Sequence, residues 1–342
     1  QLVGAICDLV HQLQRERGLT NIYLASAGVL FSHERRHQVE ASDGAEQRGR
    51  ELLAHWFRRA AGGAQSRLLN SIALALQALD QLPLLRQQIA HQRISPQLAT
   101  AAYGRLIAAW LAMVLETAEL SCDPPITRLL VAIFNLLQAK EYAGQERAWG
   151  ASSLASARLD HEQAERLLLL QQAQAHSLGV FLQYADSAQQ QAWQQQEQSD
   201  NSQQLARLRR MLQQLAHQPT TVPAISDLWY QCATIRMDAM HRIHCVLVQQ
   251  LQQQTSDSIA LAHSQLEQQQ SSADALADDS GFGLPAQRTQ QPLPALGEAA
   301  SGVVERMPVR AGKPWAAPST VVKVRAPSLK LAGVLFGSMS GR

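Results

Sequence analysis

The stretch IFNLLQAKEYAGQERAWG, residues 133–150, carries the pattern that decides the fold class. Ile133, Leu136, Ala143 and Arg147 recur three, four or seven positions apart, which is the spacing of one face of an α-helix. The inward face of this helix therefore combines aliphatic side chains with a guanidinium. Because a guanidinium keeps its proton, burying it requires an anion or a dense set of hydrogen-bond acceptors.

Two other predicted helices repeat this combination. Arg17 continues the apolar stripe of the first helix after Leu13, and Arg236 continues the stripe of the last helix after Trp229. Glu16 and Glu146 each lie one position before an arginine, so their side chains point about 100° away from the arginine's face of the helix. We therefore hypothesise that a ligand anion is the partner of the three arginines.

Composition favours a fully helical protein. The chain has 342 residues, of which 46% are hydrophobic, and it is rich in Gln, Leu and Ala. No uninterrupted apolar run reaches the roughly 18 residues that a membrane helix needs, so we expect no membrane partner. The four cysteines show no CxxC spacing and no signal peptide opens the chain, which together favour a cytoplasmic protein. The chain begins at Gln1, and we expect its native start to lie upstream.

Helix start signals divide the chain. Ser95-Pro96, Asp123-Pro124 and Asp160 with Gln163 each mark a helix N-terminus. The spacing predicts helices over 1–27, 34–60, 65–92, 96–120, about 125 to beyond Arg147, 161–185, 188–217 and 223–270. Seven of the chain's 13 prolines lie after residue 280. The segment 271–342 also lacks helical periodicity, so it is predicted to be a linker and a disordered tail.

The distribution of charge and motifs excludes several function classes. Eight of the 30 basic residues but two of the 28 acidic residues lie after residue 280, so the remaining body is mildly acidic and does not resemble a nucleic-acid-binding surface. No phosphate-binding loop, nucleophile elbow or paired-carboxylate pattern occurs, and we predict no enzyme and no cofactor. His241, His244 and Cys245 lie on one helical turn, but without a second ligand cluster we predict no metal site.

Three segments resemble the signatures of NIT domains, the nitrate- and nitrite-sensing helical modules of bacterial regulators. They are LQRERG at 13–18 followed by NIYLAS at 21–26, KEYAGQERA at 140–148, and a weaker block from LWY at 228–230 through Arg236. The resemblance covers residues 1–265. It implies two four-helix bundles that share long helices, with the anion held between helices, and a homodimer.

The same resemblance implies control of nitrate-assimilation genes by transcription antitermination, when an RNA-binding ANTAR domain follows. Residues 271–342 lack the helical, basic and apolar pattern of an ANTAR domain, and their scattered Lys and Arg residues lie among Pro, Gly, Val and Ser. We therefore expect leader RNA to be a partner only where such a domain is present in the full-length protein.

Nitrate is a planar monoanion, and the fork of guanidinium donors matches two of its oxygens. Gln14 and Asn21 lie on the same strip of the first helix as Arg17, and Gly144 lies one turn before Arg147. We predict a nitrate or nitrite site formed by these residues with Arg236. Lys140, Glu16 and Glu146 are expected to support the site without touching the anion.

Two other functions remain open on the sequence. In the first, each arginine pairs with a protein carboxylate and the chain is a helical dimerisation or scaffold module. In the second, the arginines bind a different small anion or organic acid.

Overall fold

A computed structural model describes residues 1–59, 66–156, 159–215 and 223–279. The described ranges contain helices and no strand, so the predicted all-α class is confirmed. The helices are α1 (Leu2–Ala25), α2 (Ser32–Arg59), α3 (Ser66–Asp80), α4 (Leu82–Ala90), α5 (Pro96–Leu120), α6 (Pro124–Ser156), α7 (His161–Tyr184), α8 (Ser187–Glu197), α9 (Asp200–Leu215) and α10 (Pro223–Asp279).

Two predicted helices are each divided in two. The helix predicted over 65–92 breaks at Gln81, because Pro83 sits in the first turn of α4 and cannot donate a backbone N–H to a preceding turn. The stretch predicted over 188–217 breaks between α8 and α9 at 198–199. The last helix is longer than predicted, since α10 continues nine residues past 270.

Side-chain caps fix where several helices begin. Ser95 accepts a hydrogen bond from the backbone N–H of Leu98, and Asp160 forms a capping box with Gln163, as the sequence predicts. Asp186 forms a second capping box with Gln189 at the start of α8, which the sequence analysis missed.

The helices pack as two groups of five. In the first group, α1 packs against α2 and α5, and α5 also packs against α3 and α4. In the second, α6 packs against α7 and α10, and α10 packs against α8 and α9. The pairs α1–α6 and α5–α6 join the groups, so α6 has neighbours in both.

Two apolar clusters fill these groups. The larger cluster spans both groups and contains the fully buried side chains of Tyr103, Trp110 and Ile133. The smaller cluster lies among α6, α7, α9 and α10 around Trp229 and Leu208. Arg17, Arg147 and Arg236 are all at least nine-tenths buried, as their stripe positions predict.

Two segments, Ser66–Ala90 and Pro96–Leu120, have the length and mean hydropathy of a membrane-crossing helix. Half of the most apolar window of α5 is buried against other helices, and buried core helices commonly have this composition. The expectation of no membrane partner therefore stays a prediction. The predicted disordered tail lies, from residue 280 onward, outside the described residues.

Replacing Asp186 with Ala should lower the free energy of unfolding by about 1 kcal/mol, because the first-turn N–H groups of α8 lose their acceptor. Asp186→Asn is the control, since Asn caps helices about as well as Asp. Urea denaturation would measure both variants. Equal losses in the two would show that the cap contributes nothing.

Candidate functional site

Arg17 and Glu141 form a buried ion pair between α1 and α6. Nη1 of Arg17 donates to Oε1 of Glu141, and both side chains are nearly inaccessible to water. Gln14 donates to the other carboxylate oxygen over 3.1 Å, and Gln145 donates to Oε1 over 2.9 Å. Nη2 of Arg17 is buried and has no hydrogen-bond partner among the described residues.

Arg147 is buried without a carboxylate among its described hydrogen-bond partners. Its Nη1 donates to the hydroxyl of Thr234 on α10 over 2.8 Å, and its guanidinium lies 4.5 Å from the ring centroid of Tyr230. Burial lowers the pKa of Arg147, and the positive charge of Arg17 lowers it further. The two arginines are therefore close enough for their charges to oppose each other.

Glycines on facing helices receive the two guanidiniums. A Cβ on Gly144 of α6 would come within 3.0 Å of Nη2 of Arg17, and a Cβ on Gly18 of α1 would come equally close to Nη2 of Arg147. Real Cβ atoms essentially never make such contacts. Each arginine thus crosses to the backbone of the helix that carries the other, in a reciprocal arrangement.

Glu16 and Glu146, which precede the two arginines in sequence, are neutralised by other residues. Glu16 accepts two hydrogen bonds from Arg86 of α4, over 2.7 and 2.9 Å, and one from Tyr103 of α5. Glu146 accepts two from Arg209 of α9, over 2.8 and 2.7 Å, and others from glutamines of α7. These carboxylates link α1 to α4 and α5, and α6 to α7 and α9; their role in supporting an anion site stays a prediction.

The charges at the junction of α1, α6 and α10 do not balance. Because Arg86 and Arg209 neutralise Glu16 and Glu146, the buried carboxylate that remains among the described residues is Glu141, which pairs with Arg17. Among the same residues, Arg147 has only the more distant charge of the exposed Asp238. Buried charge without a partner is costly, so this arrangement favours a further anion.

Arg236 has a separate set of contacts. Its Nη1 donates to Glu197 at the end of α8 over 2.6 Å, and its guanidinium lies 4.9 Å from the ring centroid of Trp193. Burial lowers the pKa of Arg236, and the charge of Glu197 raises it. The structure therefore does not gather the three arginines as predicted: Arg17 and Arg147 face each other, and Arg236 faces α8.

The smaller predicted site residues are also divided. Gln14 and Gly144 lie at the Arg17–Arg147 junction, although the amide of Gln14 is bonded to Glu141. Asn21 instead lines a small cavity between α1, α5 and α6, together with Thr100 and Ser152.

Lys140 lies fully buried on α6, where its Nζ contacts Nδ1 of His11 over 2.8 Å. Burial lowers its pKa to about 7, against the opposing effects of Cys245, Asp238, Cys7 and Glu141, all of which raise the pKa. Lys140 thus contacts a histidine of α1, while Glu141, the partner of Arg17, also acts on its charge.

Comparisons with known proteins agree with this helical arrangement. The family profile described as nitrate and nitrite sensing matches residues 8–260. This chain belongs to the NIT family. A nitrate regulatory protein of Klebsiella oxytoca is 37% identical to it over 167 residues, which are 49% of this chain and 41% of that protein. The chain thus spans less than half the length of that relative.

A solved structure, that of the NasR transcription antiterminator, superposes on this NIT chain with a TM-score of 0.69. The alignment covers 76% of this chain and 70% of the other, at 29% sequence identity. The family resemblance inferred from the sequence is therefore confirmed.

Three residues at the junction of this NIT chain were not predicted from the sequence. Glu141, Tyr230 and Thr234 contact the arginines but received no role. Glu141 lies within the KEYAGQERA segment, next to Lys140, and its position was a usable signal. Tyr230 and Thr234 precede Arg236 by six and two positions, so their link to Arg147 depends on how α10 packs.

Gly144→Ala should destabilise the NIT domain by about 1–2 kcal/mol, because the new methyl group displaces the guanidinium of Arg17. Gly179→Ala is the matched control: a Cβ at Gly179, also inside a helix, meets nothing within 4 Å, and the change should stabilise by about 0.5–1 kcal/mol. Thermal unfolding would compare them. A stabilising Gly144→Ala would show that the close approach is unimportant.

Lys140→Met should flatten the pH dependence of stability between pH 7 and 9. The pKa of Lys140 is about 7 in the folded protein and 10.5 ordinarily, so in this window the unfolded chain binds more protons and stability rises with pH. Met binds no proton. Burial raises the pKa of Cys7 from 9.0 to about 12, so the unfolded thiol begins to ionise toward pH 9 and lowers stability there, in the natural chain and the variant alike. Urea unfolding at pH 7, 8 and 9 would test this; an unchanged slope in the variant would contradict it.

Proposed function

We propose that this NIT domain is a sensor in which nitrate or nitrite binds between the guanidiniums of Arg17 and Arg147. The observation that carries the proposal is the charge excess at the junction, where Arg17 pairs with Glu141 and the buried guanidinium of Arg147 beside it has no carboxylate among its described hydrogen-bond partners. The family match and the nitrate-regulatory relative support the choice of ligand.

The chemistry of the two side chains suits a planar monoanion. Nη2 of Arg17 has a free donor, and Arg147 is bonded through Nη1 to a neutral hydroxyl. Charge-assisted hydrogen bonds from two guanidiniums would reach different oxygens of one ion. Binding would also remove the repulsion between the two arginines, which is a source of affinity.

Entry of the anion requires movement. The guanidiniums lie against the backbone at Gly144 and Gly18, so an ion between them would have to displace Arg17 from Glu141 or separate α1 from α6. Arg147 is tied to α10 through Thr234 and Tyr230, so α10 would move as well. Differential affinity of the ion for the two packings would supply the energy of the signal, typically a few kcal/mol.

Regulation of nitrate-assimilation genes, antitermination and homodimerisation are parts of the proposal. They rest on the nitrate regulatory relative and the antiterminator structure, whose lengths exceed the aligned parts. RNA contact would require an output domain beyond the NIT domain. We also propose that the chain has no enzymatic activity.

Calorimetry with nitrate would test the site in the full chain and in Arg147→Met. Loss of charge-assisted hydrogen bonds should weaken binding by about 10- to 100-fold. The same variant should be more stable than the natural chain in nitrate-free buffer, because it removes a buried cation that makes no hydrogen bond to a carboxylate in the described part of the chain. Weaker binding together with greater stability distinguishes a ligand residue from a structural one.

Arg236→Met is the control that separates the two arginine environments. Since Arg236 contacts Glu197, its loss should lower stability and leave nitrate affinity within about threefold. If Arg236→Met removed binding and Arg147→Met did not, the site would lie at α8 and α10 instead.

Nitrite, chloride, sulfate and formate would complete the experiment. Selective binding of nitrate or nitrite supports the sensor, and stronger binding of another ion would identify a different ligand. A folded protein that binds none of these ions would favour the scaffold function, in which buried charges serve packing.

A further inference from the structure

A cluster of imidazole and thiol groups lies on α10, outside the proposed nitrate site. The ligand atoms of His241, His244 and Cys245 all lie within 4.8 Å of one another. Cys245 is exposed, His241 is partly buried and His244 is buried, so the cluster extends from the surface into the protein.

His244 is the unusual member of this cluster. It is 3% exposed, and neither ring nitrogen has a hydrogen-bond partner among the residues that the structure describes. Burial lowers its pKa to about 3, so the ring is neutral and offers a lone pair at neutral pH. A buried imidazole with both nitrogens unpaired is costly, and metal coordination would give one of them a partner.

The spacing of the other two ligands matches a tetrahedral metal. Sγ of Cys245 lies 3.6 Å from Nε2 of His241. Zinc–sulfur and zinc–nitrogen bonds of about 2.3 and 2.0–2.1 Å at tetrahedral angles separate the two ligand atoms by about 3.6 Å. A thiol–imidazole hydrogen bond would explain this contact, but it leaves His244 unexplained.

Helix α1 orients the cluster from the opposite side. The ring of His11 stacks on that of His241, with 3.6 Å between centroids and 9° between planes. Stacking fixes the plane of the His241 ring before any metal arrives. The charged groups near the cluster are Lys140 from α6, Asp8 and Arg15 from α1, and Arg242 from α10 itself. The Nζ of Lys140 contacts His11.

Contrary to the expectation from the sequence, we propose that His241, His244 and Cys245 form a binding site for a thiophilic divalent cation of the zinc class. The three side chains supply two nitrogens and one thiolate, and water completes a tetrahedral set. Binding replaces the thiol proton of Cys245 with the metal and releases that proton to solvent. This proposal does not rest on the nitrate proposal. The three ligands lie on α10, and α1 and α6, which also form the arginine junction, surround them.

Cobalt(II) is the probe for this site, because its absorption spectrum reports thiolate ligation and tetrahedral geometry. The reduced full chain, freed of metal with a chelator, would be titrated with cobalt(II) and then with zinc(II). We expect one equivalent of cobalt, a thiolate-to-cobalt charge-transfer band, and displacement by zinc. Absence of the band would overturn the proposal.

Three variants locate the ligands. Cys245→Ser should abolish the charge-transfer band, and because Cys245 is exposed this change should leave folding intact. His244→Gln should weaken zinc binding at least about tenfold. Cys122→Ser, at an exposed cysteine outside the cluster, should bind cobalt like the natural chain.

A band that persists in Cys245→Ser would refute the assignment, as would loss of the band in Cys122→Ser. Helix content measured by circular dichroism would verify that each variant is folded. None of these readouts involves nitrate, so the outcome is separate from that of the sensor proposal.

Discussion

The rest of the structure depends on the buried contact between Arg17 and Glu141, because this contact joins the two groups of helices. It connects α1 of the first group to α6 of the second, at a depth where water cannot screen either charge. A buried pair of this kind contributes little net stability, yet breaking it is costly because each partner would remain buried alone. The joint therefore favours one specific packing of α1 against α6.

The two halves of this joint are built alike. In each, a Glu-Arg dipeptide sends its arginine toward the facing helix and its glutamate toward an arginine of its own group. Glu16 binds Arg86, and Glu146 binds Arg209. These two ion pairs hold each glutamate within its own group of helices. Arg17 and Arg147 are then the charges whose surroundings can change when the groups move.

Much of the fold could be predicted from the sequence, because its helices carry strong local signals. The caps at Ser95 and Asp160 and the stripes around residues 133–150 depend on neighbours within a few positions. The break at Pro83 was missed, although proline has a clear meaning there: apolar periodicity continues on both sides of it.

The site could be predicted less completely, because its geometry depends on distant parts of the chain. The sequence shows that Arg17, Arg147 and Arg236 face inward, and all three are buried. Their partners depend on how distant helices pack. Arg17 meets Glu141, more than a hundred residues away, and Arg236 meets Glu197, about forty residues away. Stripe position identifies an inward-facing charge, and tertiary packing selects its partner.

The length of helix α10 amplifies small movements. It contains 57 residues, and an α-helix rises 1.5 Å per residue, so the segment after the last core contact at Leu251 extends about 40 Å. Over that length, a tilt of about 5° at Leu251 displaces the far end by roughly 3.5 Å. If an anion binds as proposed, α10 would act as a lever: a sub-ångström adjustment beside one ion would arrive at its tip as a movement comparable to a hydrogen-bond length.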